Sequence, residues 1–169
     1  GEDYAPSSDI MGRRISVVFI NTMIFTIEDL IDLADAVNGG MSSRYIEFVL
    51  QNDIDILDAL PESIGTVENG FNFIFNGNGN KLNIYYDSPL SLFGHIGSAG
   101  VIHDLNINIY GKIGSKSTVY AGGLAAENEG VIESCEVKVI GKVIANTSGG
   151  VAGRNHANGT ITQSVATIS

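Results

Sequence analysis

The sequence predicts an all-β solenoid with an amphipathic helix across its N-terminal end, and three observations support this fold class. Gly100, Gly130 and Gly159 open three similar segments that are spaced 30 and 29 residues apart. Short apolar runs separated by Gly and Asn fill the chain beyond residue 45, and only one segment has helical periodicity. A period of this size is typical of repeat proteins, in which each coil buries its apolar face only against its neighbours.

The helix is predicted over residues 27–38. Its apolar residues recur at helical spacing and form one stripe, which consists of Ile27, Leu30, Ile31, Ala34 and Val37. Thr26 is a suitable N-cap, and Asp29 stands where a capping box needs an acceptor. Because an open solenoid end exposes unpaired strand edges, we expect Leu30 and Ile31 to be almost fully buried across the first coil.

Strands are predicted in seven runs, over residues 46–50, 54–57, 71–75, 82–86, 101–109, 131–140 and 160–168. Alignment of the repeats places Ile102, Ile132 and Ile161 in one buried column. Three further columns follow it: Leu105, Cys135 and Ser164; Ile107, Val137 and Ala166; and Ile109, Val139 and Ile168. We expect one domain over residues 15–169, a mobile lead-in over residues 1–14, and an uncovered end after Ile168.

Small-residue runs precede the repeats, and they carry a family resemblance. The segments 123–132 and 150–155, the latter followed by Asn158-Gly159-Thr160-Ile161, resemble the GLUG motif of bacterial surface proteins. The resemblance implies a right-handed single-stranded parallel β-helix, as in adhesin-like proteins and the N-terminal regions of immunoglobulin A-specific metallopeptidases. The GLUG-like coils cover about residues 92–169, and the chain is expected to be part of a longer protein.

Composition excludes several classes of partner and site. The net charge of -10 and the pI of about 4.5 argue against nucleic acid, because a phosphate-binding surface needs a basic face. Cys135 is the single cysteine, so no disulfide framework or paired-cysteine metal site is possible within the chain, and a buried apolar role is expected for it. No apolar run reaches the length of a membrane-spanning helix, so we expect no membrane insertion of this segment.

Histidines and carboxylates are the candidate catalytic or metal-binding residues of the sequence. His95, His103 with Asp104, and His156 lack the spacing of a zinc site, there is no HExxH, and His103 is expected at the surface. A second set comprises Asp53, Asp55 and Asp58, of which Asp53 and Asp55 share one strand face and could bind calcium. We predict no catalytic residues, no cofactor site and no metal site.

Two further motifs have simpler interpretations. Residues 76–80 read Asn-Gly-Asn-Gly-Asn but lack the helix and Lys-Ser/Thr pair of a phosphate loop, so a tight corner is predicted. Tyr85, Tyr86 and Tyr110 could form an aromatic platform for sugar, but only one of the adjacent pair Tyr85 and Tyr86 can face outward.

The predicted function is a non-enzymatic, adhesin-like binding or spacer module of a secreted or surface-anchored bacterial protein. Its β-helix faces would be presented to a host glycan, a host protein or neighbouring domains. The expected location is extracellular or at the cell surface, with any signal peptide or anchor outside this sequence. Two alternatives remain open: a polysaccharide-active β-helix enzyme and an accessory domain of a large surface peptidase.

Overall fold

The computed structural model describes residues 21–41 and 45–169. Before residue 21 it describes only the backbone of four two-residue strands, which are β1 (Asp3–Tyr4), β2 (Asp9–Ile10), β3 (Arg13–Arg14) and β4 (Val17–Val18). β1 pairs with β4 and β2 with β3, both antiparallel. The lead-in predicted over residues 1–14, and the start of order predicted at Ile15, otherwise fall outside the described residues.

The single helix of the described residues, α1 (Ile27–Asn38), has the predicted bounds and the predicted cap. The Asp29 N–H donates to Thr26 Oγ1 at 3.3 Å, and the Thr26 N–H donates back to Asp29 Oδ2 at 3.1 Å. This reciprocal pair satisfies two backbone donors that an open helix end would leave without partners. The capping box therefore determines where the helix begins.

The remaining described chain forms short parallel strands: β5 (Met23–Ile24), β6 (Glu47–Leu50), β7 (Ile54–Ile56), β8 (Ile74–Asn76), β9 (Lys81–Ile84), β10 (Phe93–Ile96), β11 (Val101–His103), β12 (Asn106–Ile109), β13 (Lys112–Gly114), β14 (Tyr120–Gly122), β15 (Ala125–Asn128), β16 (Val131–Glu133), β17 (Glu136–Val139), β18 (Lys142–Ile144), β19 (Thr147–Gly149), β20 (Ala152–Asn155), β21 (Thr160–Thr162) and β22 (Val165–Ile168). The chain is mostly β and forms a parallel β-solenoid, because each of these strands pairs with the equivalent strand of an adjacent coil.

Three sheets run along the solenoid. The six-stranded sheet has the order β5-β6-β8-β11-β16-β21, the five-stranded sheet β7-β9-β12-β17-β22, and the three-stranded sheet β10-β15-β20. Two short pairs, β13-β18 and β14-β19, complete the two fullest coils. The 30-residue repeat is therefore one circuit through all of these positions.

The predicted register is confirmed pair by pair. Ile102 is opposite Ile132, which is opposite Ile161, and the columns from Ile107 and Ile109 continue in the same way. Ile102 and Ile132 are fully buried, whereas Ile161 is only partly buried. The expectation that all three are buried is therefore wrong for Ile161, because β21 is an edge strand with a neighbouring coil on one side only.

The three longest predicted strands are each divided in two. Residues 101–109, 131–140 and 160–168 turn a corner at Asp104, Ser134 and Gln163, whose φ angles are 53°, 52° and 48°. These left-handed residues stack above one another, since the Asp104 N–H donates to the Glu133 carbonyl and the Ser134 N–H to the Thr162 carbonyl, both at 3.2 Å. The apolar pattern continues across the corner, which is why the runs looked like single strands.

The first repeat glycines mark places where two coils approach closely. A Cβ atom on Gly130 would collide with the carbonyl oxygen of Gly100, and one on Gly100 with the carbonyl oxygen of Phe71. The glycine that marks each repeat is therefore required by the stacking of coil on coil.

The interior of the early coils is dominated by phenylalanines. Four edge-to-face pairs, with ring centroids 5.3–5.9 Å apart, connect five rings: Phe48, Phe71, Phe73, Phe75 and Phe93. α1 packs against β5 and β7, and Leu30, Leu33, Ala34 and Val37 join the same continuous core. The buried helical stripe thus includes Leu33, which was not predicted. Ile31 lies at the edge of the buried face and is only half-buried, so its predicted full burial is wrong.

Candidate binding surface

The outer face of the five-stranded sheet carries a ladder of hydrogen-bonded polar side chains. Asp55, Asn83 and Asn108 occupy the same position in β7, β9 and β12, and we call them the polar ladder. Asn83 Nδ2 donates to Asp55 Oδ1, and Asn108 Nδ2 donates to Asn83 Oδ1, both at 2.8 Å. The ladder faces outward because its residues alternate with the buried Ile56, Ile84 and Ile109 columns.

An apolar strip lies beside this ladder. Two residues further along each strand, at its carboxyl end, four large side chains follow one another along the solenoid, namely Leu57, Tyr85, Tyr110 and Ile140, and we call them the aromatic row. Backbone hydrogen bonds place them in succession, since the Tyr85 N–H donates to Ile56, the Tyr110 N–H to Ile84 and the Ile140 N–H to Ile109. All four side chains are exposed.

The two tyrosines of the row stack on each other. The ring centroids of Tyr85 and Tyr110 are 4.7 Å apart with an interplanar angle of 6°, yet the residues remain 46% and 43% exposed. The pKa of Tyr85 is raised by partial desolvation, by the nearby carboxylate of Asp55 and by Tyr110. The row and the polar ladder are thus close enough to interact electrostatically.

The sequence indicates that tyrosines could form an aromatic platform, but it does not indicate that Tyr85 and Tyr110 stack on each other. Tyr86, the neighbour of Tyr85, is only partly exposed, and its hydroxyl accepts the Leu60 N–H at 3.3 Å, so one of the adjacent pair faces out as expected. The coil between Asn83 and Asn108 spans 25 residues instead of 30, so Tyr85 and Tyr110 fall outside the recognised period. The repeated Asn two residues before each Tyr was the signal that could have paired them.

The three acidic residues that could have bound calcium, Asp53, Asp55 and Asp58, have different surroundings. Asp53 and Asp55 do share an exposed face, but Asp53 Oδ1 accepts the Lys81 N–H at 2.8 Å and Asp55 belongs to the polar ladder. Asp58 is exposed beyond the end of β7. Within residues 21–41 and 45–169, no group of three or more His, Cys, Asp or Glu side chains is placed to hold a metal ion.

Two histidines that the spacing kept apart are brought together on the three-stranded sheet. The rings of His95 and His156 lie 5.9 Å apart. Glu127 Oε2 is 2.7 Å from His156 Nε2, and Glu129 Oε1 is 3.5 Å from His95 Nε2 and 3.8 Å from His156 Nδ1. We call His95, Glu127, Glu129 and His156 the His–Glu cluster. They come together because the parallel register of β10, β15 and β20 pairs His95 with Glu127 and Glu127 with Arg154.

His103 has a different environment. It is half-buried rather than fully at the surface, with Nδ1 at 2.6 Å from Asp104 Oδ2 and Nε2 at 3.8 Å from Glu47 Oε1. The neighbouring strand places Asn76 between these coils, and Asn76 Nδ2 donates to Glu47 at 2.9 Å. These contacts link three coils, which is a structural role.

Cys135 and the Asn-Gly corner are found in the predicted roles. Cys135 is buried, and its pKa is raised to about 11 chiefly because burial disfavours the thiolate. The second asparagine of residues 76–80, Asn78, and the following Gly79 both have left-handed backbones, with φ angles of 53° and 73°. The segment therefore forms a corner of the solenoid.

Asn128 is a buried polar residue that the sequence analysis did not predict. Asn128 is fully buried, and its Nδ2 donates to Asn155 Oδ1 at 2.8 Å while its Oδ1 accepts the Gly130 N–H at 3.1 Å. It holds the corner between β15 and β16. The recurrence of Asn shortly before Gly130 and Gly159 was the available signal.

No family model, no curated protein and no solved structure matches the chain. Within the described part of the chain, no helix has the length and apolar character needed to cross a bilayer.

Proposed function

We propose that the chain is a non-enzymatic binding module that engages a partner through the aromatic row and the adjoining polar ladder. The observation that carries the proposal is the stacked, exposed pair Tyr85 and Tyr110. Aromatic side chains with one apolar face and one polar tip are enriched where proteins bind partners. Burying these rings in an interface would remove apolar surface from water that folding leaves exposed.

The proposed setting is a secreted or surface-anchored bacterial protein of adhesin-like type. The support for it is the GLUG-like runs 123–132 and 150–155, together with the parallel solenoid into which they fold. A stack of coils also provides a rigid, elongated support for a surface patch, because each coil is held by its neighbours. The same rigidity would suit a spacer, so the proposal is tested on binding.

The test measures attachment of beads coated with the full chain to cultured epithelial cells. We expect Y85A/Y110A to reduce attachment at least about tenfold, because it removes both central anchors of the row. Y45A is the matched control, since Tyr45 is 89% exposed and lies outside the row. Equal attachment by Y85A/Y110A and the unsubstituted chain would contradict the proposal, and so would the absence of attachment by either.

A polysaccharide-active enzyme is the second candidate, and the His–Glu cluster is the observation that favours it. Glu127 and Glu129 approach opposite nitrogens of the His156 ring, so two carboxylates lie close together, as hydrolysis of a glycosidic bond requires. The groove of about 700 Å³ beside α1 is lined by other residues, among them Asp35, Asn38 and Glu62. We propose that the cluster links neighbouring coils and that the chain has no hydrolase or lyase activity.

The enzyme candidate is tested by incubating the chain with acidic and neutral polysaccharides and measuring reducing ends and unsaturated sugars. We expect neither product. Release of either product that E127Q and E129Q abolish would establish the enzyme and contradict our proposal.

A further inference from the structure

We infer that the ligand of the aromatic row is a neutral glycan, an inference that rests on the proposed binding function and specifies its partner. The exposed apolar surface is narrow. The apolar strip is one side chain wide, with the polar ladder directly along one side. A protein interface of ordinary size buries roughly 800 Å² per partner around a broad desolvated centre, whereas a sugar chain presents a narrow alternation of C–H and hydroxyl groups.

The polar ladder has hydrogen-bonding groups to spare. The ladder uses one amide hydrogen of Asn83 and one of Asn108, which leaves each amide with a second hydrogen to donate. Within the described chain, Asp55 Oδ2 and Asn108 Oδ1 accept no hydrogen bond, and both face the same side of the sheet as the tyrosines. Paired donors and acceptors of this kind match the vicinal hydroxyls of a pyranose.

The charges around the aromatic row bear on the kind of glycan. Asp55 lies within electrostatic reach of Tyr85. On the same sheet face Glu136 is paired with Lys138 at 3.3 Å, and the exposed Lys81 lies beside Asp53, whose carboxylate accepts its backbone N–H. With a net charge of -10 on the whole chain, a sulfated or uronic acid glycan would be repelled. The face therefore favours a sugar chain without charged groups.

The aromatic row and the polar ladder run in the same direction. The rings of Tyr85 and Tyr110 stack along the solenoid axis, and so do the rungs of the polar ladder, with the roughly 4.8 Å spacing of adjacent strands. A glycan lying along this axis would meet a ring edge and an amide at each coil. We therefore assign at least two consecutive sugar units to the row, one at each tyrosine.

The experiment titrates the chain with three neutral hexasaccharides, of β-linked glucose, N-acetylglucosamine and galactose, and with a sulfated heparin hexasaccharide. Binding is measured by isothermal titration calorimetry, because the intrinsic fluorescence of this chain comes from tyrosine, with no Trp, and would itself change in the tyrosine variants. We expect saturable binding of at least one neutral hexasaccharide, about tenfold weaker with either Y85A or Y110A and with N108A. Y45A is the control for an exposed tyrosine elsewhere, and Y85F keeps the ring and its stacking.

The outcomes separate this inference from the proposed function. Attachment to cells that depends on Tyr85 and Tyr110 but survives periodate oxidation of the cell-surface sugars would identify a protein partner and overturn the glycan assignment alone. Preference for the heparin hexasaccharide would overturn the assignment to neutral glycans. Binding of a neutral hexasaccharide that Y85A, Y110A and N108A leave unchanged would place the sugar elsewhere and also overturn it.

Discussion

Two of the regions in which the solenoid exposes apolar side chains differ in the cause of that exposure. Ile168 in β22, which continues the interior column of Ile109 and Val139, is 64% exposed, and β22 pairs on one side only, with β17. Tyr85 and Tyr110 follow β9 and β12, which have paired strands on both sides. A missing neighbour explains the exposure in β22 but not the exposure of the tyrosines. Stacking of the coils does not account for the exposure of the two tyrosines, and this supports the proposed binding role.

The same comparison separates the two ends of the stack. At the first coils, Leu30 and Leu33 of α1 are essentially fully buried in the core that contains the phenylalanines. At the last coil, Ile161 and Ala166 are only partly buried. The end covered by the helix should therefore carry more of the stability than the edge formed by β20, β21 and β22.

Breaking the covered end should have the largest effect. L30D/L33D places two carboxylates in the core, at a cost comparable with the whole stability of a domain, about 5–15 kcal/mol. We expect insoluble or aggregated protein, because the strand edges beneath α1 become exposed. I31D is the matched control, since Ile31 is only half-buried. A soluble L30D/L33D monomer with native circular dichroism would show that α1 is peripheral.

Truncation within one column compares a complete coil with the edge coil. I132A should cost about 2–5 kcal/mol, because Ile132 is fully buried between Ile102 and Ile161. I161A should cost less than half as much, since Ile161 already meets solvent. Urea unfolding of both variants measures the difference. Equal costs would mean that the last coil is as well packed as the one before it.

The buried asparagine gives the same comparison for polar groups. N128A should cost about 1–3 kcal/mol, because it leaves the Gly130 N–H in the interior without its acceptor. The exposed Asn155 lies opposite it in the edge strand β20, and N155A should cost less than about 1 kcal/mol. Thermal unfolding monitored by circular dichroism distinguishes the two. A larger effect of N155A would reverse the assigned order.

The smallest effect concerns the helix cap and pH. Partial burial acts to raise the pKa of Asp29, but the hydrogen bonds from the backbone of Phe25 and Thr26 outweigh it and lower the pKa below 3.8. A lowered folded-state pKa stabilises the fold above the unfolded-state pKa, and this stability is lost as the pH falls through the folded-state value. D29N should cost about 1 kcal/mol at pH 7 and show a smaller loss of stability on acidification. An unchanged pH profile would contradict this role of Asp29.

The fold was largely predictable because the stacking of coils imposes a repeat that the residues display directly. The register of the columns from Ile102, Ile107 and Ile109 and the bounds of α1 were predicted correctly, since each depends on local periodicity and capping, but burial was wrong for Ile161 and Ile168 in the last coil. Leu33 was missed because it lies on the buried face beside the chosen stripe, and the corners at Asp104 and Ser134 were missed because apolar alternation passes through them.

The candidate surface was less predictable for a physical reason. Side chains of different coils meet only when the length of each coil is known, and the shorter coil between Asn83 and Asn108 concealed the stacking of Tyr85 on Tyr110. Unknown coil lengths also concealed the His–Glu cluster, because His95 and His156 belong to the coils before and after the one that carries Glu127 and Glu129.

The central claim is that Tyr85 and Tyr110 are exposed for binding and not for stability. The most direct measurement is a comparison of Y85A/Y110A with V165S/I168S, for attachment to cells and for urea unfolding. The account predicts that Y85A/Y110A loses at least about tenfold in attachment while its free energy of unfolding falls by no more than about 2 kcal/mol. V165S/I168S should attach normally. Attachment that V165S/I168S abolishes and Y85A/Y110A leaves intact would contradict the account.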